Sequence, residues 1–235
     1  MTQAMLDISN CVFTVSCRTA SKRLPGKAFL PIAGIPCWQF LMTRLTGLPN
    51  LYLATTQLAT DDLLSKVALD SGVRVARGFE NNVFQRLLDI CEYGIWDYLV
   101  RITADCPLVD LRMVLDCIDK LNSSPINWDI ASTKGFTAPG LDLEIIKISA
   151  MREVRYDLNS DEQEHVTLYY YNRPNKFKIK TIELQQYTSE SESFLIDTLD
   201  DYLKLAAKIS SNDRMVPTLK LLQKWSKTRD CQSPQ

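Results

Sequence analysis

Residues 11–27 read Cys-Val-Phe-Thr-Val-Ser-Cys-Arg-Thr-Ala-Ser-Lys-Arg-Leu-Pro-Gly-Lys, and this stretch decides the fold. Its first part, Cys11–Cys17, is short, apolar and β-branched, the pattern of a strand buried on both faces in a parallel sheet. Its second part places Arg18, Lys22, Arg23 and Lys27 within ten residues closed by Pro25 and Gly26. A buried strand therefore runs straight into a basic loop. Downstream the rhythm repeats. Leu51–Thr55 reads as a strand, Asp61–Ser71 as an amphipathic helix ended by Gly72, and Val73–Ala76 as a short strand. Asn82–Tyr93 reads as a helix and Tyr98–Thr103 as a strand. In Asp110–Asn122, Leu111, Val114, Leu115, Ile118 and Leu121 form one helical stripe capped by Asp110. Strands alternating with helices predict an α/β protein with a doubly wound, mostly parallel sheet.

After Ser123 the pattern changes. Trp128–Ser132 and Leu141–Ile148 read as strands around a Gly/Pro-bearing loop, Glu162–Tyr171 as a helix, and Lys176–Leu184 as an exposed or edge strand. This segment is expected to leave the sheet as an excursion over about residues 134–190. Phe194–Asp197 returns as a short strand, Leu199–Ile209 and Pro217–Trp225 as helices, and Thr228–Gln235 as a polar tail. The chain, residues 1–235, is expected to be a single domain.

Composition narrows the partners. With 235 residues, 46% hydrophobic and 23% charged, the chain has the make-up of an ordinary folded protein. Twenty-seven Lys+Arg against 28 Asp+Glu leave a net charge of −1. No global positive field exists to hold a nucleic acid polymer or an anionic membrane, so small molecules or proteins are the expected partners. The seven cysteines form no CxxC pair and mostly lie in apolar runs, as expected of reduced core thiols in a cytoplasmic protein. Met1–Asn10 lacks the layout of an export signal, and no apolar run approaches the roughly 18 residues of a membrane span.

The basic loop follows a strand, and ligands of doubly wound sheets bind at the carboxyl ends of strands. Backbone amides around Gly26, with the charges of Arg23 and Lys27, suit a polyphosphate. Neither a GxGxxG fingerprint nor a P-loop is present, since Ser21 stands where the first P-loop glycine belongs and Ala28 follows Lys27. The strand ending Thr103-Ala104-Asp105 offers a carboxylate to Mg²⁺ or caps the next turn. Asp197 closes another apolar run and either shares that metal or caps the following helix, where Asp200 and Asp201 suit the first turn. Asp142 and Glu144 alternate on one strand face, toward a ligand or toward solvent. His165 is the only histidine, which excludes paired-histidine zinc chemistry, and it is expected to pack or hydrogen-bond. Cys17 and Cys106 border the loop without an evident activating base.

Taken in order, Arg18-x4-Arg23-Leu-Pro-Gly-Lys27, Ala54-Thr55-Thr56, Asp61-Asp62, Gly72-Val73, Arg77-Gly78, Val83 to Arg86, Arg101-Ile-Thr-Ala-Asp-Cys-Pro-Leu108, Gly140-Leu-Asp-Leu-Glu144, Glu164-His-Val-Thr167 and Ile196-Asp-Thr198 form one set. The set resembles the CMP-sugar synthetase-like cytidylyltransferases, nearest the spore coat polysaccharide biosynthesis type and related to the CMP-3-deoxy-manno-octulosonate and CMP-neuraminate synthetases. The resemblance spans about residues 11–210. It implies a Rossmann-like sheet of the nucleotide-diphospho-sugar transferase type that transfers CMP from CTP, with Mg²⁺, to the hydroxyl of a sugar or sugar acid, releasing pyrophosphate for surface polysaccharide assembly.

By this resemblance Arg18, Arg23 and Lys27 hold the triphosphate, and Asp105 and Asp197 hold the metal. Ala54, Thr55, Arg77, Thr103 and Asp105 border the nucleotide and its cofactor, and Asp142 and Glu144 face the acceptor. Ala104, Asn82, Gln163 and Leu168 stand where the family usually has Gly, Asp, Arg and Pro. A nucleotidyltransferase using another nucleoside triphosphate, or a catalytically weak nucleotide-binding homologue, are the alternative readings. A homodimer is expected through the excursion, whose Tyr156, Tyr169, Tyr170, Tyr171, Phe177 and Tyr187 look too aromatic for a thin insertion to bury alone.

Overall fold

The computed structural model describes residues 6–123, 127–189 and 191–230. Expectations about Met1–Met5, Cys231 and the last residues of the polar tail lie outside them. The chain runs β1 (Cys11–Ser16), β2 (Pro31–Ile32), β3 (Ile35–Pro36), α1 (Cys37–Arg44), β4 (Leu51–Thr56), α2 (Asp62–Asp70), β5 (Arg74–Gly78), α3 (Val83–Cys91), β6 (Tyr98–Thr103) and α4 (Leu111–Asn122). It continues β7 (Ile130–Ser132), β8 (Glu144–Lys147), α5 (Ile148–Val154), α6 (Ser160–Glu164), α7 (Leu168–Tyr171), β9 (Ile179–Thr181), α8 (Leu199–Lys208) and α9 (Thr218–Asp230).

Seven strands form one sheet in the order β5-β4-β1-β6-β8-β7-β9. β1 pairs in parallel with β4 on one side and β6 on the other, and β4 pairs in parallel with β5. The chain thus builds outward from β1 to β5, then crosses to the opposite side of β1 to lay down β6. That reversal opens a crevice at the carboxyl ends of β1 and β6, where doubly wound sheets take their ligands. Alternate strand residues feed two cores. Phe13, Val15, Val100 and Ile102 meet α1, α4, α8 and α9, while Val12, Ala54, Leu99 and Ile146 meet α3, α5 and α7.

The later segment differs from its sequence reading. β8 joins the sheet antiparallel to β6, β7 pairs antiparallel with β8, and β9 pairs in parallel with β7 at the edge, so only the helices between them leave it. The strand expected over Leu141–Ile148 starts only at Glu144, because Leu141 N–H closes a turn on Ala138 and Leu143 N–H is taken by the Thr133 hydroxyl at 3.0 Å. Asp142 therefore sits in the irregular link between that turn and β8 and not on a strand face. Phe194–Asp197 is extended without joining the sheet. Its bonds run from Phe194 N–H to Pro139 O, 2.7 Å, and from Ile196 N–H to Asp105 O, 2.9 Å. The single helix expected over Glu162–Tyr171 is two, α6 and α7, broken at His165, whose backbone (φ −99°, ψ 79°) is not helical. The polar tail is helical through Asp230.

The aromatic argument for a dimer does not hold. Tyr169, Tyr170, Phe177 and Tyr187 are buried within the chain, and the first three pack edge to face with ring centroids 4.9–5.9 Å apart. Tyr156 and, partly, Tyr171 remain exposed. No helix among the described residues is long and apolar enough to cross a membrane.

Candidate active site

A cavity of about 510 Å³ opens at the carboxyl ends of β1 and β6. Its first wall is the basic loop. Thr19 is the hub of that loop: its carbonyl accepts from Ser21 N–H and Gly26 N–H, both at 2.9 Å, so the chain folds back on itself between them. Gly26 has φ +74°, the left-handed conformation that a glycine adopts without strain. The turn directs Lys27 inward, leaving it only 16% exposed, whereas Arg23 stays 71% exposed at the rim. The amides of Lys22 and Arg23, both on the cavity wall, have no partner among the described residues.

Lys27 Nζ sits at the centre of the carboxylates. It donates to Ile196 O at 2.9 Å and lies 3.6 Å from Asp105 Oδ2 and 4.0 Å from Asp197 Oδ1. Arg23 Nη2 reaches the other Asp197 oxygen at 2.5 Å. Asp105 arrives at the end of β6, but Asp197 arrives from far along the chain and needs a close crossing. Gly140 (φ +88°) supplies it: a Cβ there would lie 2.1 Å from Leu195 N and 2.2 Å from the Phe194 carbonyl carbon. Only a residue without a side chain lets these backbones touch and brings Asp197 over Lys27.

Two carboxylates, 30% and 19% exposed, meet on one ammonium. The described residues contain no cluster of three or more metal-ligating side chains. A pair of hard oxygen donors with room beside it fits Mg²⁺, which completes its shell with water and substrate phosphates, and does not fit an all-protein metal cage.

The second wall is arginine. Arg18, Arg86 and Arg101 line the same cavity; the latter two stand in the motif set quoted above, which assigns them no role. Arg18 pairs with Glu164 at 3.4 Å and Glu80 at 4.0 Å. Arg101 Nη1 reaches Glu144 at 2.5 Å, and the other Glu144 oxygen accepts from the Thr167 hydroxyl at 2.8 Å. Arg86 is 3% exposed, donates from Nη1 to Phe79 O at 3.0 Å, and has no carboxylate within ion-pair distance among the described residues. Its Nε and that of Arg101 are buried without partners. Burial foremost, then repulsion from Arg18, lowers the Arg86 pKa to about 10, with a smaller push from Arg101. Gly78 makes room for this side chain, since a Cβ there would lie 2.8 Å from Arg86 Cγ.

Other expected site residues stand elsewhere. Ala54 and Thr55 are buried beneath the cavity, and Thr55 Oγ1 donates to Asp61 at 3.0 Å. Arg77 braces the β4 end, donating to Thr56 O and Leu58 O and pairing with Asp62 at 2.6 Å, and does not line the cavity. Glu144 is committed to Arg101 and Thr167. Asp142 lies off the wall in the link before β8, and burial raises its pKa. Thr103 lines the cavity beside Asp105, and so does His165, exposed rather than packed. Asn82 caps α3, its Oδ1 accepting from Gln85 N–H at 2.8 Å, a task that an amide performs as an aspartate would. Gln163 Nε2 reaches Leu158 O, and Ala104 forms part of the floor. Burial pushes the thiols of Cys17 and Cys106 well above the ordinary range, so neither serves as a nucleophile.

Comparison with known proteins agrees with this architecture. A family model described as cytidylyltransferase matches residues 12–221. The uncharacterized protein MJ1063 of Methanocaldococcus jannaschii is 31% identical over 193 residues, which are 80% of this chain and 78% of that one. The spore coat polysaccharide biosynthesis protein SpsF of Bacillus subtilis is 27% identical over 211 residues, 85% of this chain and 86% of that one. The structure of a cytidylyltransferase from Leptospira borgpetersenii superposes with a TM-score of 0.84 at 26% identity, over 94% of this chain and 95% of that one.

Proposed function

The chain belongs to the cytidylyltransferase family, and on that premise we propose that it transfers CMP from CTP to a hydroxyl of a sugar or sugar acid destined for a surface polysaccharide. The observation that carries this reading is Lys27, held between Asp105 and Asp197 at the switch point of the sheet with Arg23 at the rim.

In the reaction the acceptor hydroxyl oxygen bonds to the α-phosphorus and gives up its proton to water, the bond from that phosphorus to the α,β-bridging oxygen breaks, and pyrophosphate departs with that bond's electron pair. Negative charge grows on the bridging and departing oxygens, and preorganised cations stabilise it. Arg23, Lys27 and the free amides of Lys22 and Arg23 face that charge. Asp105 and Asp197 would hold Mg²⁺, which when bound supplies further positive charge to the phosphoryl oxygens. With those carboxylates holding a cation, Lys27 would be left to meet phosphate. The acceptor lies against the arginine wall, where Arg86, which has no ion-pair partner among the described residues, favours a carboxylate-bearing sugar over a neutral one.

Pyrophosphate release measured with each of four nucleoside triphosphates, with Mg²⁺ and a panel of neutral and acidic sugars, tests the proposal. Release with CTP and an acidic sugar is expected. Preference for another triphosphate would reassign the donor, and CTP binding without turnover on any acceptor would make the protein a binding homologue.

A further inference from the structure

Asp61 is 1% exposed, is not part of the cavity wall and forms no ion pair among the described residues, yet five hydrogen bonds converge on it. Thr19 donates to Oδ1 from both its N–H (2.8 Å) and its hydroxyl (2.6 Å). Thr55 Oγ1 (3.0 Å), Thr56 N–H (3.2 Å) and Thr56 Oγ1 (2.5 Å) donate to Oδ2. The residue stands at the N-cap position of α2, but its side chain makes no bond to that helix. Its acceptor capacity is spent instead on joining two segments, the start of the basic loop and the carboxyl end of β4.

We propose that Asp61 is a positioning residue for the phosphate-binding loop, fixing Thr19 and through it the placement of Arg18, Gly26 and Lys27. This rests on the reading of the loop as the triphosphate site. The link runs through Thr19, whose donors are held by Asp61 while its carbonyl takes the amides of Ser21 and Gly26. A shift of the carboxylate therefore shifts the base of the turn that delivers Lys27. A buried carboxylate with no cation in ion-pair contact, Arg86 acting on it only from beyond that distance, is costly unless its hydrogen bonds are complete. The bonds from Thr19 and Thr56 outweigh burial here and hold Asp61 below the ordinary carboxylate range.

The test uses Asp61→Asn, Thr19→Val and Thr19→Ser in the full chain. Calorimetric binding of tripolyphosphate with Mg²⁺, KM and kcat with CTP, and the thermal midpoint are measured for each. Asp61→Asn turns an NH₂ group toward donors, and Thr19→Val deletes one hydroxyl without changing shape. Both are expected to weaken tripolyphosphate at least tenfold and to raise KM for CTP more than they lower kcat, with Thr19→Ser restoring both. Should Asp61→Asn fail to fold, the Thr19 pair decides alone. Lys27→Ala serves as the reference. Lost affinity in Lys27→Ala with parental affinity in Thr19→Val, whatever its midpoint, overturns the positioning role. Parental affinity in Lys27→Ala overturns instead the reading of the loop on which that role rests.

Discussion

The two walls of the cavity hold cations in opposite ways. On the loop wall, Arg23 and Lys27 meet Asp105 and Asp197, so charge is balanced and the most exposed member, Arg23, reaches water. On the arginine wall, Arg101 is paired with a buried glutamate, while Arg86 is buried and has no carboxylate partner among the described residues. A balanced, open cluster contributes little to folding and is free to rearrange around a metal and a phosphate. A buried cation is bound up with the fold, and changing it alters stability and chemistry together. The difference predicts where function separates from stability.

The sharpest break is expected on the loop wall. Lys27→Ala, Asp105→Asn and Asp197→Asn should each lower kcat by about 10²-fold or more, as losing a preorganised charge contact does. Arg23→Ala should lower turnover while leaving the unfolding free energy from chemical denaturation within about 1 kcal/mol of the parent. A large stability loss at Arg23 would erase the distinction between the walls. Activity in the parent should vanish with EDTA and return with Mg²⁺; full activity in EDTA would remove the metal from the loop wall.

Next in size is Arg101→Leu, which strands the buried Glu144 carboxylate. It should cost about 3–5 kcal/mol in urea denaturation, the scale of breaking a buried pair from one side. Arg86→Leu separates the effects in the other direction. It removes a buried cation that has no ion-pair partner among the described residues, so stability should hold or rise while kcat/KM for an acidic acceptor falls about tenfold. Equal destabilisation by both substitutions would show the two arginines to be equivalent.

The smallest effect is alkaline. The Arg86 pKa is lowered to about 10 from an ordinary 12.5, so in that interval the unfolded chain holds the proton that the folded chain has released. Folding stability should then rise with pH between those values, and the rise should be absent from Arg86→Leu. Parallel denaturation series for the two proteins at graded alkaline pH check the slope.

How much of this was legible follows from how each residue is carried. β1, β4 and β6 were readable because strands buried on both faces are continuous apolar runs, and α4 because Asp110 caps a clean stripe. The loop was readable because its charges are contiguous. α1 carries a weak signal since Trp38, Phe40, Leu41 and Met42 bury the helix on several sides and leave only Gln39 and Thr43 as a narrow polar face to mark its period. Arg86 and Arg101 were hidden by their elements. Arg86 occupies the buried stripe with Val83, Leu87 and Ile90, and Arg101 interrupts Tyr-Leu-Val-Arg-Ile-Thr, so a cation at a core position was the available signal. The burial of Tyr169 and Tyr170 depended on Phe177 folding back over them, a tertiary event with no local signature.

The crossing at Gly140 also sets an order of events on the ribosome. The basic loop, Asp105 and Gly140 itself all emerge well before Asp197, and until residues 194–197 settle across Pro139 and Gly140 the second carboxylate is missing. A nascent or truncated chain lacking that segment would present cations with one acidic partner removed, able to attract phosphate but without the pair suited to a metal. The second carboxylate of the proposed metal pair is thus placed by a long-range crossing of backbone on backbone, and the absence of a single side chain at position 140 is what permits that crossing.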